Sequence, residues 1–548
     1  MKGVVVRLDL VLRNAVVHTV DPDRPRAHTV GVLHGRVVAL DDDCAGLAAR
    51  TEVDLAGRTL LPGFVDAHNH LAWTGLAAGS VDLAGAATVE AVLARIGDAA
   101  ARTSTDGWVD VVGYDQRPLG RHLTRHDLDP VSAGRRVVAT HTSGHANLVN
   151  TAVLDTLPAE VATTDDPGVV RDGAGRPTGL FTEGATRFVA AVRTPHALAE
   201  LTDAIVTAAR GCAAQGVTFV AEAGIGGGLT SRSPLEALAY QRAVEEGRFR
   251  LRAQLMVSLS RLEATSAHPA DGLTHAFALG LRTGFGSDRL SLGAAKAWLD
   301  GGMMARTAAL TEPYLDAGTA TAARGELATD LADIRERAHA AHAAGWQLAL
   351  HAIGDRAVDE AVDIVETAQR ERPRPDARHR IEHCGLVRPD QLARIAAAGI
   401  TAVTQPTFLH AFGDDYAGIM GPHRAPWLYR GRSYLDAGVP VAGSSDRPVA
   451  DGAPLRGVQF LVDRTTHTGN RVGEDEAMTV AQAIHAYTMG SARACRVEDR
   501  VGSIAVGKYA DLVVLDADPH DVEPASIAAI PIACTAVGGE VVHGGWPA

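Results

Sequence analysis

The chain has few cysteines, few aromatic residues and no long apolar run. Its five cysteines are an odd number among 548 residues and lie far apart. That pattern favours reduced thiols over a disulfide framework, so we expect a cytoplasmic protein. No stretch of about 18 apolar residues is free of charges, which predicts no membrane span. The first residues lack the apolar segment of a signal peptide, so we expect none.

Basic residues are also in the minority. Lys and Arg number 52 against 65 for Asp and Glu, a formal net charge of −13. An acidic chain without a basic run is a poor partner for nucleic acid or an anionic membrane. Apolar residues make up 46% of the chain, enough for a large core. We therefore expect a globular protein that acts on a small molecule.

The middle of the chain alternates strand-like apolar runs with helical patterns. Eight runs can be counted, at residues 60–68, 217–224, 249–257, 290–298, 346–352, 379–384, 400–406 and 439–446. This alternation is typical of βαβ units in an α/β protein, and eight units predict a closed (β/α)8 TIM-like barrel. An open doubly wound sheet is the alternative, but no GxGxxG follows an early strand.

The two ends of the chain are rich in short strand patterns. We expect residues 1–60 and 495–548 to meet in one small β-sandwich domain beside a barrel of residues 61–494. The gap between the first two runs, about 75–205, is too long for one helix. It contains strand-like pieces of its own, and we interpret it as an insertion over the barrel mouth.

Polar side chains of metal-ligand type stand at or near the ends of five of the eight runs. They are His68 and His70, Lys296, His351, His383 and Asp446. In a strand, residues i and i+2 share a face, so His68 and His70 can bind one ion. A single HxH is a weak signal, since a buried histidine bonded to a carbonyl is commoner. Five runs that agree in position predict a metal centre at the carboxyl ends of the strands.

Lys296 is a lone cation within an apolar strand. Lysine is rarely buried without a partner, and a free ammonium would repel a metal ion. Carboxylation by CO₂ would make it an anion able to bridge two metals, which we favour. The alternative is a partly exposed lysine paired with a carboxylate such as Asp300.

Several stretches together resemble the amidohydrolase superfamily, and more closely its branch similar to N-substituted formamide deformylases. They are LPGFVDAHNH, SGHANLVN, GLFTEGA, KAWLDGGMMARTAAL, LHAIGDRAVDEA, HRIEHC, GSSDRPV and GKYADLVVLDADP. The resemblance covers essentially the whole chain. It implies a barrel with a small β-sandwich, a metal-dependent hydrolase of non-peptide C–N bonds, one or two Zn²⁺ ions or other divalent metals, and a homodimer as one plausible state.

The resemblance also implies roles for individual residues. His68 and His70 would bind one ion and His351 and His383 the other, with Lys296 bridging and Asp446 acting as ligand and general base. Glu183 is an additional candidate ligand, or else a carboxylate that supports the ligands.

Other residues are candidates for contact with the substrate. His145 would serve as an oxyanion donor or substrate contact, or else as a loop histidine bonded to its own backbone. Trp73 could line the pocket or simply pack. Arg306 could hold a carboxylate or pair with an acidic neighbour. Phe408 belongs to an aromatic cluster that suits an apolar substrate group or core packing.

The reaction itself has alternatives on the same scaffold. A metal-activated hydroxide would attack an amide, with Asp446 returning a proton to the leaving nitrogen. The same ligands could serve an ester, cyclic-amide or deaminating hydrolase, or a decarboxylase. A non-catalytic barrel is the third hypothesis, although no ligand position is visibly lost.

Overall fold

The structure is a computed structural model. It describes residues 7–83, 85–116, 118–141, 146–182, 185–227, 230–304, 306–315 and 324–547. These residues form two compact units. The first comprises residues 1–71, 205–231 and 235–548, and the second comprises 72–204 and 232–234.

The first unit contains an eight-stranded sheet in which every neighbouring pair is parallel. The strands are Phe64–Asn69, Val217–Ile225, Arg252–Ser258, Leu290–Trp298, Leu348–Ala352, Arg380–His383, Thr401–Thr404 and Val441–Gly443, and they neighbour one another in chain order. We call them the first to the eighth barrel strand. All eight predicted runs are present, and their strands form a nearly closed barrel sheet, as in a TIM-like barrel. In the first run, the barrel strand begins only at Phe64, because Thr59–Pro62 belongs to another sheet.

The first and eighth barrel strands come together beyond their carboxyl ends. The Asp446 N–H donates to the His68 carbonyl (2.8 Å), and the His70 N–H donates to the Arg447 carbonyl (3.2 Å). Below them, the buried Asp66 carboxylate accepts from the N–H and hydroxyl of Ser445 (2.9 and 2.6 Å). These bonds nearly close the sheet into a cylinder.

Helices lie between most of the barrel strands, although the described residues between the third and fourth strands contain no α-helix. The helices that follow the second barrel strand are Glu236–Glu245, Leu331–Ala343, Asp355–Glu371, Pro389–Ala397, Pro406–Arg424, Arg432–Asp436, Pro454–Asp463, Val480–His485 and Ser491–Ala494. The helix Leu198–Ala214 precedes the second barrel strand. Among the described residues, no helix combines the length and apolar character needed to cross a membrane.

Strands from both ends of the chain pair with each other in the first unit. One sheet orders Glu540–Gly544, Ile532–Val537, Leu512–Leu515, Thr59–Pro62, Val16–His18 and Arg26–Ala27. A second sheet orders Arg36–Leu40, Val30–Leu33, Arg7–Arg13 and Ala48–Asp54. One apolar cluster draws residues from both sheets, among them Leu12, Leu60 and Val514. A separate β-sandwich domain with the predicted boundaries stays a prediction.

The second unit, residues 72–204 and 232–234, covers most of the predicted insertion at about 75–205. Its six-stranded sheet orders Val169–Arg171, Pro177–Thr182, Ala146–Val149, Arg136–His141, Trp108–Tyr114 and Val81–Asp82. Its helices are Val89–Arg102, Arg125–Ser132, Thr151–Leu154 and Thr186–Arg193, and the helix Leu71–Ala78 begins at the last residue of the first unit. A position over the barrel mouth stays a prediction.

Candidate metal centre

The six predicted ligands all lie at the carboxyl ends of barrel strands and all are buried. Their side chains belong to the first, fourth, fifth and sixth barrel strands and to the segments that follow the first and the eighth: His68, His70, Lys296, His351, His383 and Asp446. In a (β/α)8 barrel the carboxyl ends of the strands share one face, which is where active sites form.

Asp446 lies at the centre of this group. Its Oδ1 is 3.3 Å from Nε2 of His68 and 2.9 Å from Nε2 of His70. Ligand atoms of these three residues lie within 4.8 Å of one another, a spacing that could hold a metal ion. Both imidazoles hold the pKa of the Asp446 carboxyl well below its usual range, although its burial acts in the opposite direction.

His383 and His351 extend the group to one side. The His383 ring is 5.1 Å from the His68 ring and 4.4 Å from the His351 ring, between centroids. Nδ1 of His383 is 4.0 Å from Oδ2 of Asp446. The four imidazoles and Asp446 therefore form one continuous cluster, with His351 at its edge.

Carboxylates and an amide orient three of the imidazoles, and the sequence analysis missed all of them. Nδ1 of His68 bonds to Glu382, Nδ1 of His70 is 3.4 Å from Glu222, and Nδ1 of His383 is 2.8 Å from Oε1 of Gln405. Metal-binding histidines generally use their second nitrogen in this way, which fixes the tautomer and the ring orientation. The motif alone could have prompted a search for such partners, but it does not say which residues they are.

Backbone conformation explains how two adjacent residues of HRIEHC both reach this cluster. Side chains alternate along a strand, so Glu382 and His383 should face opposite sides. His383 instead has φ +70°, in the left-handed region that non-glycine residues rarely adopt. Asp446 has φ +50°, also left-handed. Such conformations concentrate at functional sites, where they re-aim a side chain.

Lys296 is fully buried, and its Nζ has no hydrogen-bond partner among the described residues. Burial lowers the pKa of its amine to about 8, despite the nearby Glu382 and Asp446 carboxylates. An ion pair with Asp300 does not form. That carboxylate instead accepts the N–H groups of Ala309, Ile353 and Gly354 at 3.0, 3.1 and 2.8 Å. Carboxylation of Lys296 stays a prediction.

The weaker candidates have varied positions. Arg306 pairs with Asp415 at 3.1 Å, and Phe408 is buried with its ring 6.1 Å from that of His383. Trp73 belongs to the second unit, where the Arg232 guanidinium lies 4.8 Å from its ring centroid. His145 and Glu183 lie outside the described residues, so their roles stay predictions.

Comparisons with known proteins agree with this architecture. The model of the amidohydrolase family matches residues 51–543. The N-substituted formamide deformylase of Arthrobacter pascens is 29% identical over 532 residues, covering 94% of each chain. An uncharacterized metal-dependent hydrolase of Pyrococcus horikoshii OT3 has a similar structure, with a TM-score of 0.78 and 25% identity over 94% of this chain and 99% of its own. A second, from Pyrococcus furiosus, has a TM-score of 0.75 and 27% identity over 93% of this chain and 100% of its own.

Proposed function

Because the chain belongs to the amidohydrolase family, we propose that it is a metal-dependent hydrolase of non-peptide C–N bonds. Its substrate would be an N-substituted formamide or another N-acyl compound. The observation that carries the proposal is the convergence of His68, His70 and Asp446 at one end of the barrel. The similarity to a formamide deformylase over nearly the whole chain supports the choice of bond.

The donor set suits a divalent ion of Zn²⁺ type. Imidazole nitrogens and carboxylate oxygens are common zinc ligands, although they also suit other divalent metals. We assign His68, His70 and Asp446 to one ion and His351 and His383 to a second, with carboxylated Lys296 between them. An ion bound there would supply Lewis acidity and lower the pKa of a water molecule to about 7.

The Asp446 carboxylate is the group that would move the proton. Its Oδ1 faces the imidazoles of His68 and His70, so we assign the transferred proton to Oδ2. An amine is a poor leaving group as an anion, so cleavage requires a proton donor at the nitrogen. Asp446 would take a proton from water and return it to the departing nitrogen.

A substrate panel tests the proposal. We expect the zinc-loaded protein to release amine from N-substituted formamides or N-acyl amino acids, to lose this activity on dialysis against a chelator, and to regain it with Zn²⁺. The assay follows amine and carboxylate release together. Turnover confined to aryl esters, cyclic imides or a decarboxylation would overturn the choice of bond. Absence of any metal in the purified protein, with no uptake on addition, would overturn the metal-dependent assignment.

A further inference from the structure

A cavity of about 830 Å³ opens beside the metal centre in the first unit. Lys296 and Asp300 line it together with the segment that follows the third barrel strand and residues 324–337. Substrate pockets for small molecules commonly have volumes of about 300–1,000 Å³. The cavity is therefore large enough for the part of a substrate that extends away from the cleaved bond.

Trp298 forms part of the wall of this cavity, next to Lys296. It stands two residues after Lys296 on the fourth barrel strand, so the two side chains share a face. It also pairs in register with His351 on the fifth barrel strand. Nζ of Lys296 lies 5.4 Å from the centroid of the Trp298 ring. A group attached to a carbonyl held at the metal centre would thus reach the ring within a few bonds.

One edge of the indole ring packs closely against the backbone of the second barrel strand. A Cβ at Gly224 would lie only 2.8 Å from Cη2 of Trp298, so the ring edge rests against the Gly224 backbone. Gly224 has φ +126°, a conformation that side chains other than glycine rarely adopt. This contact restrains one edge of the Trp298 ring, and the side chain as a whole is half-buried.

The lining of the cavity has a large apolar part, although Lys296, Asp300, Arg324, Glu326 and Asp330 also line it. Its apolar members are Leu259, Ala297, Trp298, Leu327, Ala328 and Ile334. Several of the charged members already have partners. Arg306 pairs with Asp415, and Arg337 pairs with Asp333 at 2.7 Å.

We propose that this cavity binds an apolar, planar substituent of the substrate, an aryl group, stacked on the Trp298 ring. The inference rests on the proposed function and adds a substrate class and a specificity-determining residue to it. Aromatic pairs gain about 0.5–1.5 kcal/mol beyond area burial. That free energy corresponds to roughly 2- to 12-fold in affinity over a saturated ring of similar area.

The test is independent of turnover. Benzyl alcohol and cyclohexylmethanol serve as neutral probes, and their Kd values for the zinc-loaded full chain are measured by ligand-observed NMR titration. We expect wild type to prefer benzyl alcohol at least about twofold. Trp298→Leu should remove this preference, and Trp298→Phe should retain it. Trp546→Leu, in the segment that packs against the terminal sheets, should leave both Kd values unchanged. Metal content should be the same in all four proteins.

Equal binding of both probes by wild type, or an unchanged preference in Trp298→Leu, would overturn the inference. The kinetic arm compares N-phenylformamide with N-cyclohexylformamide, where Trp298→Leu should raise KM for the phenyl compound about tenfold. If wild type hydrolyses no amide but keeps its Trp298-dependent preference for benzyl alcohol, the proposed reaction fails and the aryl site stands.

Discussion

The carboxylate of Glu222 lies 3.4 Å from Nδ1 of His70, at the ring nitrogen that does not face Asp446. The Tyr240 hydroxyl and the Leu71 N–H (2.8 Å) donate to the same carboxylate and hold it in place. The imidazole is thereby aimed before any metal arrives. Glu382 has the same relation to His68.

Replacement of this carboxylate should weaken metal binding. We expect Glu222→Gln to raise the metal Kd about 10- to 100-fold, because the imidazole loses the partner that fixes its orientation and basicity. Competition with a chelating dye measures the affinity directly. Glu360→Gln is the matched control. Glu360 lies on the helix Asp355–Glu371 and pairs with Arg335, which is not one of the predicted ligands. A metal Kd within twofold of wild type in Glu222→Gln would contradict this role.

The isosteric change Asp446→Asn should lower kcat/KM at least about 100-fold. The amide can neither accept the proton from water nor return it to the leaving nitrogen. Steady-state kinetics on the best amide of the panel gives the effect, and circular dichroism with the melting temperature shows that the fold is kept. Activity within fivefold of wild type would remove Asp446 from the mechanism.

Carboxylation of Lys296 can be detected spectroscopically. Protein refolded with metal and ¹³C-bicarbonate should show one carbamate ¹³C signal that is absent from Lys296→Arg. Refolding without bicarbonate should lower metal content, as should Lys296→Ala. The buried, unpartnered Nζ is the reason to expect this chemistry. Full metal occupancy in Lys296→Ala would count against a bridging lysine.

Two buried histidines outside the metal centre predict loss of stability in acid. Nε2 of His342 donates to the Arg372 carbonyl (2.7 Å), its Nδ1 faces Nε2 of His379 (2.7 Å), and Nδ1 of His379 accepts from the Leu348 N–H (2.9 Å). A single proton lies between Nδ1 of His342 and Nε2 of His379, so both imidazoles are neutral. Burial lowers the pKa of both imidazoles, that of His379 well below its ordinary value.

These lowered pKa values determine how the stability of the fold changes with pH. The unfolded chain binds protons at these histidines from about pH 6.5 downward, whereas the folded chain does not, so their contribution to stability is lost as pH falls below about 6.5. Chemical denaturation between pH 8 and 5.5 should show a shallower pH slope for His342→Asn than for wild type. Replacement of the exposed His423 by Asn should leave the slope unchanged. Identical slopes in all three proteins would refute the assignment.

Much of the barrel could be predicted from the sequence because its strands are continuous apolar runs ending in polar residues. Helical patterns between the runs were also expected, and the structure has helices such as Leu331–Ala343 between most of the strands. The partners of the imidazoles could not be predicted. Glu382 reaches His68 beside His383 only because the backbone turns left-handed at His383, and residue spacing does not encode that turn.

Trp298 was also missed by the sequence analysis, but for a different reason. Its position two residues after Lys296 already placed it on the same face of the strand, so the signal was present in KAW. The sequence analysis instead singled out the aromatic cluster that follows the seventh run. Phe408 lies there in an apolar cluster with Tyr416 and Tyr429 and is 3% exposed, which suits core packing.

Two residues belong both to the contact that closes the barrel and to the candidate metal centre. His68 and Asp446 offer side chains to the proposed ion, and the backbone bond between them joins the first barrel strand to the segment after the eighth. If the first and eighth barrel strands separated at this point, His68 and Asp446 would move apart as well. Hydrogen–deuterium exchange at the Asp446 N–H therefore reports the fraction of molecules in which this bond is open and the metal centre is disrupted. The measurement needs no substrate.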